Sequence, residues 1–190
     1  HSSLIGLIGH KNWAGKAGSR DKALYFFYKN KIKYDYIWFL EEDVFIPTIE
    51  TIQNIDNKYG DCDLLSSGHG IHHSPNKNDR WCHWNTVYSQ LKNKINLPYA
   101  TSAICAIRCS KKLLECIFAH ALKYNSLFFD EVMFNTLALH NKLHVKAIKE
   151  LATIVWRKQG GWQQNEINKN NLYHPVKCIK QQYMLRSKNS

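Results

Sequence analysis

This sequence has no apolar run long enough to cross a membrane. Its apolar stretches, such as Tyr36-Ile37-Trp38-Phe39-Leu40, fall far short of the roughly 18 residues that a spanning helix requires. No secretory signal, internal repeat or clear linker is visible. The six cysteines, Cys62, Cys82, Cys105, Cys109, Cys116 and Cys178, include no Cys-x-x-Cys pair, which argues against a zinc knuckle or a dithiol redox motif. Cys105, Cys109 and Cys116 lie in or beside apolar stretches, where cysteine serves as a small buried hydrophobe. Free thiols in a reducing compartment are therefore the expectation, favouring the cytoplasm over the Golgi lumen. One or two disulfides in a secretory lumen are the alternative. A compact Lys/Arg run is also missing: arginine is sparse and lysine is scattered, although the formal net charge is +11. Such a surplus suits polyanionic partners, small phosphorylated substrates included. Without a basic run, a nucleic-acid partner is the weaker reading.

What is present is enough for a core. Hydrophobic residues make up 44% of the 190 residues and aromatics 13%. The length fits one domain, by a prior of roughly 100–200 residues per domain. Residues 21–28 read as a helix with Ala23, Leu24, Phe26 and Phe27 on its apolar face, and residues 34–40 as a buried strand. A second helix is expected over 48–59, with Thr48 as N-cap, Glu50 in its first turn and Gly60 as its stop. Strands are expected over 63–66, 102–108 and 152–156, and helices over 110–124 and 130–141. Residues 68–84, and the polar stretch from 158 to 175, read as irregular. Alternating strands and helices give the class α/β.

Three constellations carry chemistry. Glu41-Glu42-Asp43 ends the first strand. Three successive acids repel one another and need a counter-charge. Ligands of open α/β sheets bind at the carboxyl ends of strands, and carboxylates suit Mg²⁺ or Mn²⁺, ions that bridge to phosphate. An acidic turn paired with lysine, or a charge for the next helix's N-terminus, is the other reading. Asp130-Glu131 opens a helix, where the dipole favours carboxylates; one of the two is a capping acid or a general base. His174, fixed by Pro175 and followed by Lys177, is a metal ligand or an exposed loop histidine. The stretch holding His69, His72, His73, Trp81, Cys82, His83 and Trp84 has poor spacing for zinc. Its tryptophans read as sugar-stacking platforms or as core. Residues 98–102 are expected to border an acceptor site.

The segment Trp38-Phe39-Leu40-Glu41-Glu42-Asp43 resembles the Asp-x-Asp motif of GT-A glycosyltransferases. Upstream, Gly18-Ser19-Arg20-Asp21-Lys22-Ala23 resembles the Gly/Ser-Arg-x-Lys/Asn-Ala segment that precedes the motif in many of them, and the intervening helix matches too. The pattern runs from Arg20 to about Lys177. It is similar to a viral and protist group that includes the capsid-glycosylating enzyme of large chlorella viruses. The resemblance implies a GT-A, Rossmann-like mixed sheet flanked by helices, and transfer of a sugar from a UDP- or GDP-type donor to a glycan or glycoprotein hydroxyl. It implies Mn²⁺ or Mg²⁺ on Asp43, helped by Glu41 and His174. Arg20, Lys22, Glu41, Glu42 and Lys177 would serve the donor's nucleotide or diphosphate. Asp130 would be the base, with Glu131 as second candidate, giving inversion. The sequence departs from the family in two places. The first acid is Glu41 where the motif has Asp, and only 40 residues precede it, so the strand that contacts the nucleotide base is expected to lie outside this chain. A nucleotidyltransferase and a basic nucleic-acid-binding domain are the rival readings.

Overall fold

A computed structural model of the protein describes residues 19–30, 32–74 and 83–186. Gly18, Trp81 and Cys82, which entered the readings above, lie outside them. Among the described residues no helix is long and apolar enough to cross a membrane.

The architecture is mixed α/β. Strand β1 (Tyr36–Leu40) is the expected aromatic and β-branched run, a composition that suits a pleated, half-buried surface. It pairs antiparallel with β5 (Ala106–Ser110), in register from Tyr36 opposite Ser110 to Leu40 opposite Ala106. The other side of β5 takes β2 (Leu64–Ser66), again antiparallel, and β2 takes β6 (Val145–Ala147) in parallel. The order is β1-β5-β2-β6. Strands β1, β2 and β6 therefore point one way and β5 the other. The carboxyl ends of the three and the start of β5 share one edge of the sheet.

Side-chain alternation divides the core between two faces. Phe39, Leu64, Ile107 and Cys109 pack on one face, against helices α1 (Ser19–Asn30), α3 (Trp84–Leu91), α4 (Lys111–Tyr124) and α5 (Asp130–His140). Their sequence neighbours Leu65 and Ala106 pack on the other, with Ile55 of α2 (Ile49–Lys58) and Tyr59. The expected helix starts are found. Ser110 Oγ accepts from Leu113 N at 3.2 Å, capping α4, and Thr48 precedes α2 with its N–H donated to Thr51 Oγ1 at 3.3 Å.

Several expectations are corrected. The strand expected over 152–156 is a single bridge, Ile154 to His174, after a 3₁₀ turn at Lys149–Leu151. Beyond the bridge Trp156 stands exposed with no ladder around it. The strand expected over 102–108 begins only at Ala106, because Ser102 N donates instead to Glu131 O at 3.1 Å, at the start of α5. Segments read as irregular hold β3 (Gly70–His72), paired with β4 (Tyr99–Thr101). Helix α6 (Ile179–Arg186) was not foreseen: its sequence is polar, and Leu185 alone is buried. Trp84 is core, not an exposed sugar platform: it is buried at the start of α3 with the His72 ring 4.5 Å away. Cys62, Cys105, Cys109, Cys116 and Cys178 are free thiols.

Arg108 is the unexpected member of β5. It is fully buried on the α2 face. Its guanidinium donates to Asp56 Oδ1 at 3.0 Å, to Cys62 O at 3.2 Å and to Tyr59 O, and lies 4.3 Å from the Tyr36 ring centre. The carbonyls at the end of α2 carry the negative end of the helix dipole, so this cation fastens that end to the sheet. Arg108→Ala is expected to lower the unfolding free energy by about 3 kcal/mol or more. Urea unfolding checks this; a variant within about 1 kcal/mol of the parent would remove the clamp from the account.

Candidate active site

The ladder between β1 and β5 extends one step past Leu40, with Glu41 N donating to Cys105 O at 2.8 Å. That step fixes the acidic segment at the shared edge of the sheet. The chain then turns, and Phe45 exchanges two backbone bonds with Tyr173, at 2.8 and 3.0 Å, while Val176 N donates to Asp43 O at 2.8 Å. His174 is thereby carried to the acids from 131 positions along the chain (174 less 43). On its other side His174 bridges to Ile154, with His174 N donating to Thr153 O at 3.2 Å.

The side chains converge. His174 Nε2 lies 3.2 Å from Asp43 Oδ1 and 3.5 Å from Glu41 Oε2. Its Nδ1 lies 2.7 Å from Val155 O. A carbonyl oxygen only accepts, so Nδ1 carries the hydrogen there. Nε2 then faces two carboxylates, an arrangement that is attractive only with a proton or a cation on that side. Two carboxylates and one oriented imidazole nitrogen are a donor set for a divalent ion, and the backbone bond on Nδ1 is the usual support for such a ligand.

On the opposite flank Arg20, from the first turn of α1, forms a second junction. It donates from one terminal nitrogen to Asp130 Oδ2 at 2.6 Å, and from the other to Glu41 Oε1 at 3.1 Å and Ile104 O at 3.0 Å. Burial works against the guanidinium's charge, but Asp130 and Glu41 outweigh it and its pKa is raised. Asp130 is held twice, since its Oδ1 also accepts from Glu131 N at 3.1 Å at the start of α5. Glu41 thus gives one oxygen to each junction. Its extra methylene, relative to Asp, supplies the reach to span them.

Beside Arg20 and the acidic turn lies an open cleft of about 630 Å³, lined by Arg20, Ala23, Phe39, Leu40, Glu41, Glu42 and Asp43. The structure brings together Arg20, Glu41, Asp43, Asp130 and His174 from four separate parts of the chain. Glu42 lines the cleft from an exposed position. Lys22 is exposed and does not line it, because it follows Arg20 by two residues on α1 and so falls on another side of the helix. Lys177 is exposed, next to the Val176 bond to Asp43. Glu131 is half-buried, and its backbone oxygen takes Ser102 N.

Other members escaped the sequence reading. Cys105, read as a small core residue, is buried, yet its sulfur lies within 4.8 Å of ligand atoms of Glu41 and His174. Burial first, and then Glu41, push its thiol up to about 12. It stays a thiol that donates to Glu41 and adds no charge. The backbone oxygens of Ile104 and Val155 have no sequence signature at all. Beside Asp130, buried Asn135 donates to Ser102 Oγ at 2.5 Å and meets His69 Nδ1 at 2.8 Å. A polar residue one α-helical turn after Glu131 was the available clue to that row. Residues 98–102, expected to border an acceptor site, hold β4, and Ser102 N donates to Glu131 O at the start of α5.

No protein-family model matches the chain, and no curated protein matches it significantly.

Removing the Arg20 guanidinium leaves Glu41 and Asp130 without their shared counter-charge. Arg20→Ala is expected to cost about 2 kcal/mol of stability, and Arg20→Lys less, because one ammonium cannot serve both acids and the carbonyl in the same geometry. Denaturant unfolding of the two variants checks this. Equal and unchanged stability for both would show that the junction does not hold the cleft together.

Proposed function

We propose that the protein is a metal-dependent glycosyltransferase that moves a sugar from a nucleoside-diphosphate donor to an acceptor hydroxyl with inversion. The observation that carries this reading is the convergence of Glu41, Asp43 and His174 Nε2 at the carboxyl end of β1, with Arg20 linking that group to Asp130.

Glu41, Asp43 and His174 would hold the ion; the mixed oxygen and nitrogen set suits Mn²⁺ better than Mg²⁺, which prefers oxygen and keeps its waters. When bound, the ion supplies positive charge to the departing diphosphate. Arg20 supplies the second positive group. A diphosphate entering the cleft competes with Glu41 and Asp130 for the guanidinium, whose two-pronged face matches phosphate oxygens. Arg20 exchanging partners frees the Asp130 carboxylate. Asp130 then takes the proton of the acceptor hydroxyl as that oxygen attacks the anomeric carbon and the bond from that carbon to the diphosphate breaks. Attack from the side opposite the leaving group inverts the carbon. Half-buried Ser102, bonded to Glu131 O, and half-buried His69, both held by the buried Asn135, would offer hydrogen bonds to an acceptor glycan or glycoprotein. The fold this reading assigns is GT-A, supported by a mixed sheet whose acidic turn follows β1.

The reading separates two acids. With Mn²⁺ and a panel of UDP- and GDP-sugars plus glycan acceptors, Asp130→Asn should keep donor binding. Asn keeps one oxygen to accept from Arg20 but turns its Nδ2 to the Glu131 N–H, so circular dichroism checks that the variant folds. Transfer should fall by about 10²–10⁴-fold, the usual worth of a general base. Asp43→Asn should lose both binding and transfer. Full transfer by Asp130→Asn would take the base role away from Asp130.

A further inference from the structure

At the opposite edge of the sheet, a second group of dissimilar ligands meets. Asp61 and Cys62 sit in the turn between α2 and β2, and His144 stands at the start of β6, 82 positions from Cys62. The β2–β6 pairing brings them together: Asp63 N and Leu64 N donate to His144 O at 2.8 and 3.1 Å, and His144 N donates to Asp63 Oδ2 at 3.0 Å. Cys62 Sγ lies 3.6 Å from Asp61 Oδ1 and 3.9 Å from His144 Nε2, and His144 Nδ1 lies 3.5 Å from Asp61 Oδ2.

We infer that Asp61, Cys62 and His144 form a binding site for a borderline-soft divalent cation, Zn²⁺ in the first instance, independent of the acidic cleft. Zn–S bonds of about 2.3 Å and Zn–N or Zn–O bonds of about 2.0–2.2 Å place tetrahedral ligand atoms roughly 3.4–3.6 Å apart. The observed pairwise separations, 3.5–3.9 Å, are near that size, though they involve different oxygens of Asp61 and different nitrogens of His144. One ligand atom from each of the three side chains already lies within 4.8 Å of the others. His144 offers a different nitrogen to each neighbour, so a ring rotation is needed to present one nitrogen to the ion. Its side chain is 52% exposed and that of Asp61 79%, which leaves both free to adjust. Cys62 is buried and fixed, its N–H donated to Tyr59 O at 3.2 Å and its carbonyl held by Arg108.

The donor chemistry selects the ion. Thiolate and imidazole favour Zn²⁺ and its neighbours over Mg²⁺, Ca²⁺ or Mn²⁺. One thiolate and one carboxylate balance a charge of two; without the ion, burial first and then Asp61 raise the thiol's pKa, and Lys146 and Arg108 oppose that without outweighing it. Without the ion the thiol keeps its proton and points it at Asp61; binding releases that proton. Three protein ligands leave the fourth position to water. The ion would tie the turn after α2 to the edge strand β6.

Cobalt reports the sulfur directly. Co²⁺ is titrated into the Cys105→Ser protein, which lacks the thiol of the acidic cleft. The expected result is an ultraviolet thiolate-to-cobalt charge-transfer band that saturates at equimolar metal, is displaced by Zn²⁺ and survives excess Mg²⁺. His144→Ala on the same background should abolish the band, and Asp61→Asn should weaken binding; both positions are exposed, and circular dichroism checks that the variants fold. If Cys105→Ser folds poorly, the wild-type protein is compared with its own His144→Ala variant, which should lose one bound equivalent. No band in the folded Cys105→Ser protein, or a band of equal size and affinity after His144→Ala, would overturn the assignment.

Discussion

The pairing of β1 with β5 is the constraint on which the rest depends. Its five-residue register does more than bury Phe39 and Ile107. By continuing one step to the bond between Glu41 and Cys105, it aims the acidic turn along the sheet edge. It brings the Ile104 carbonyl to Arg20 and the Cys105 thiol to Glu41. A slip of one residue would send Arg108 to the crowded helical face and Ile107 toward α2, since neighbouring strand residues face opposite sides. Arg108 therefore reinforces the register it sits in. Its bonds to the end of α2 can form only when β5 is placed correctly.

Around that scaffold the electrostatics are local and opposed to the whole. A chain of net charge +11 lines one cleft with Glu41, Glu42 and Asp43, and ties Asp130 to it through Arg20. Half-buried Arg20 and buried His174 meet them, from α1 and from the segment after the Ile154 bridge. Glu41 belongs to both meetings, one oxygen to each. The two junctions are thus mechanically linked, and a ligand that draws Arg20 away alters the support of both Asp130 and Glu41. That linkage is the physical content of the proposed coupling between donor binding and release of the base.

The sequence made some of this legible and hid the rest for identifiable reasons. Strand β1, the helices at Thr48, Ser110 and Asp130, and the acidic end of β1 announce themselves by local pattern: an apolar run, a capping residue, charges at a terminus. The convergence of Arg20, Asp43, Asp130 and His174 was expected through resemblance alone, because nothing local in residues 170–177 points to residue 43. Two turn-forming backbone exchanges between Phe45 and Tyr173 make that contact. Cys105 is buried as its residue type suggested, but its place one step beyond the ladder also sets its thiol against Glu41, and the burial of Arg108 follows from its register in β5. Strands β3, β4 and β6 have three residues each, too short for period-two alternation to rise above chance. Helix α6 carries almost no apolar face to read. The pairing of Cys62 with His144 rests on a parallel contact between β2 and β6 that no linear motif encodes.

The central claim is that the edge of the sheet after β1 holds a nucleoside diphosphate through a divalent ion on Asp43. It is tested most directly by calorimetric titration of UDP and of GDP, each with and without Mn²⁺, into the wild-type protein and Asp43→Ala. The account predicts binding of one of the two nucleotides that depends on Mn²⁺ and disappears in Asp43→Ala. Binding that ignores Mn²⁺ and survives the substitution, or none of either nucleotide to folded wild type, would contradict it.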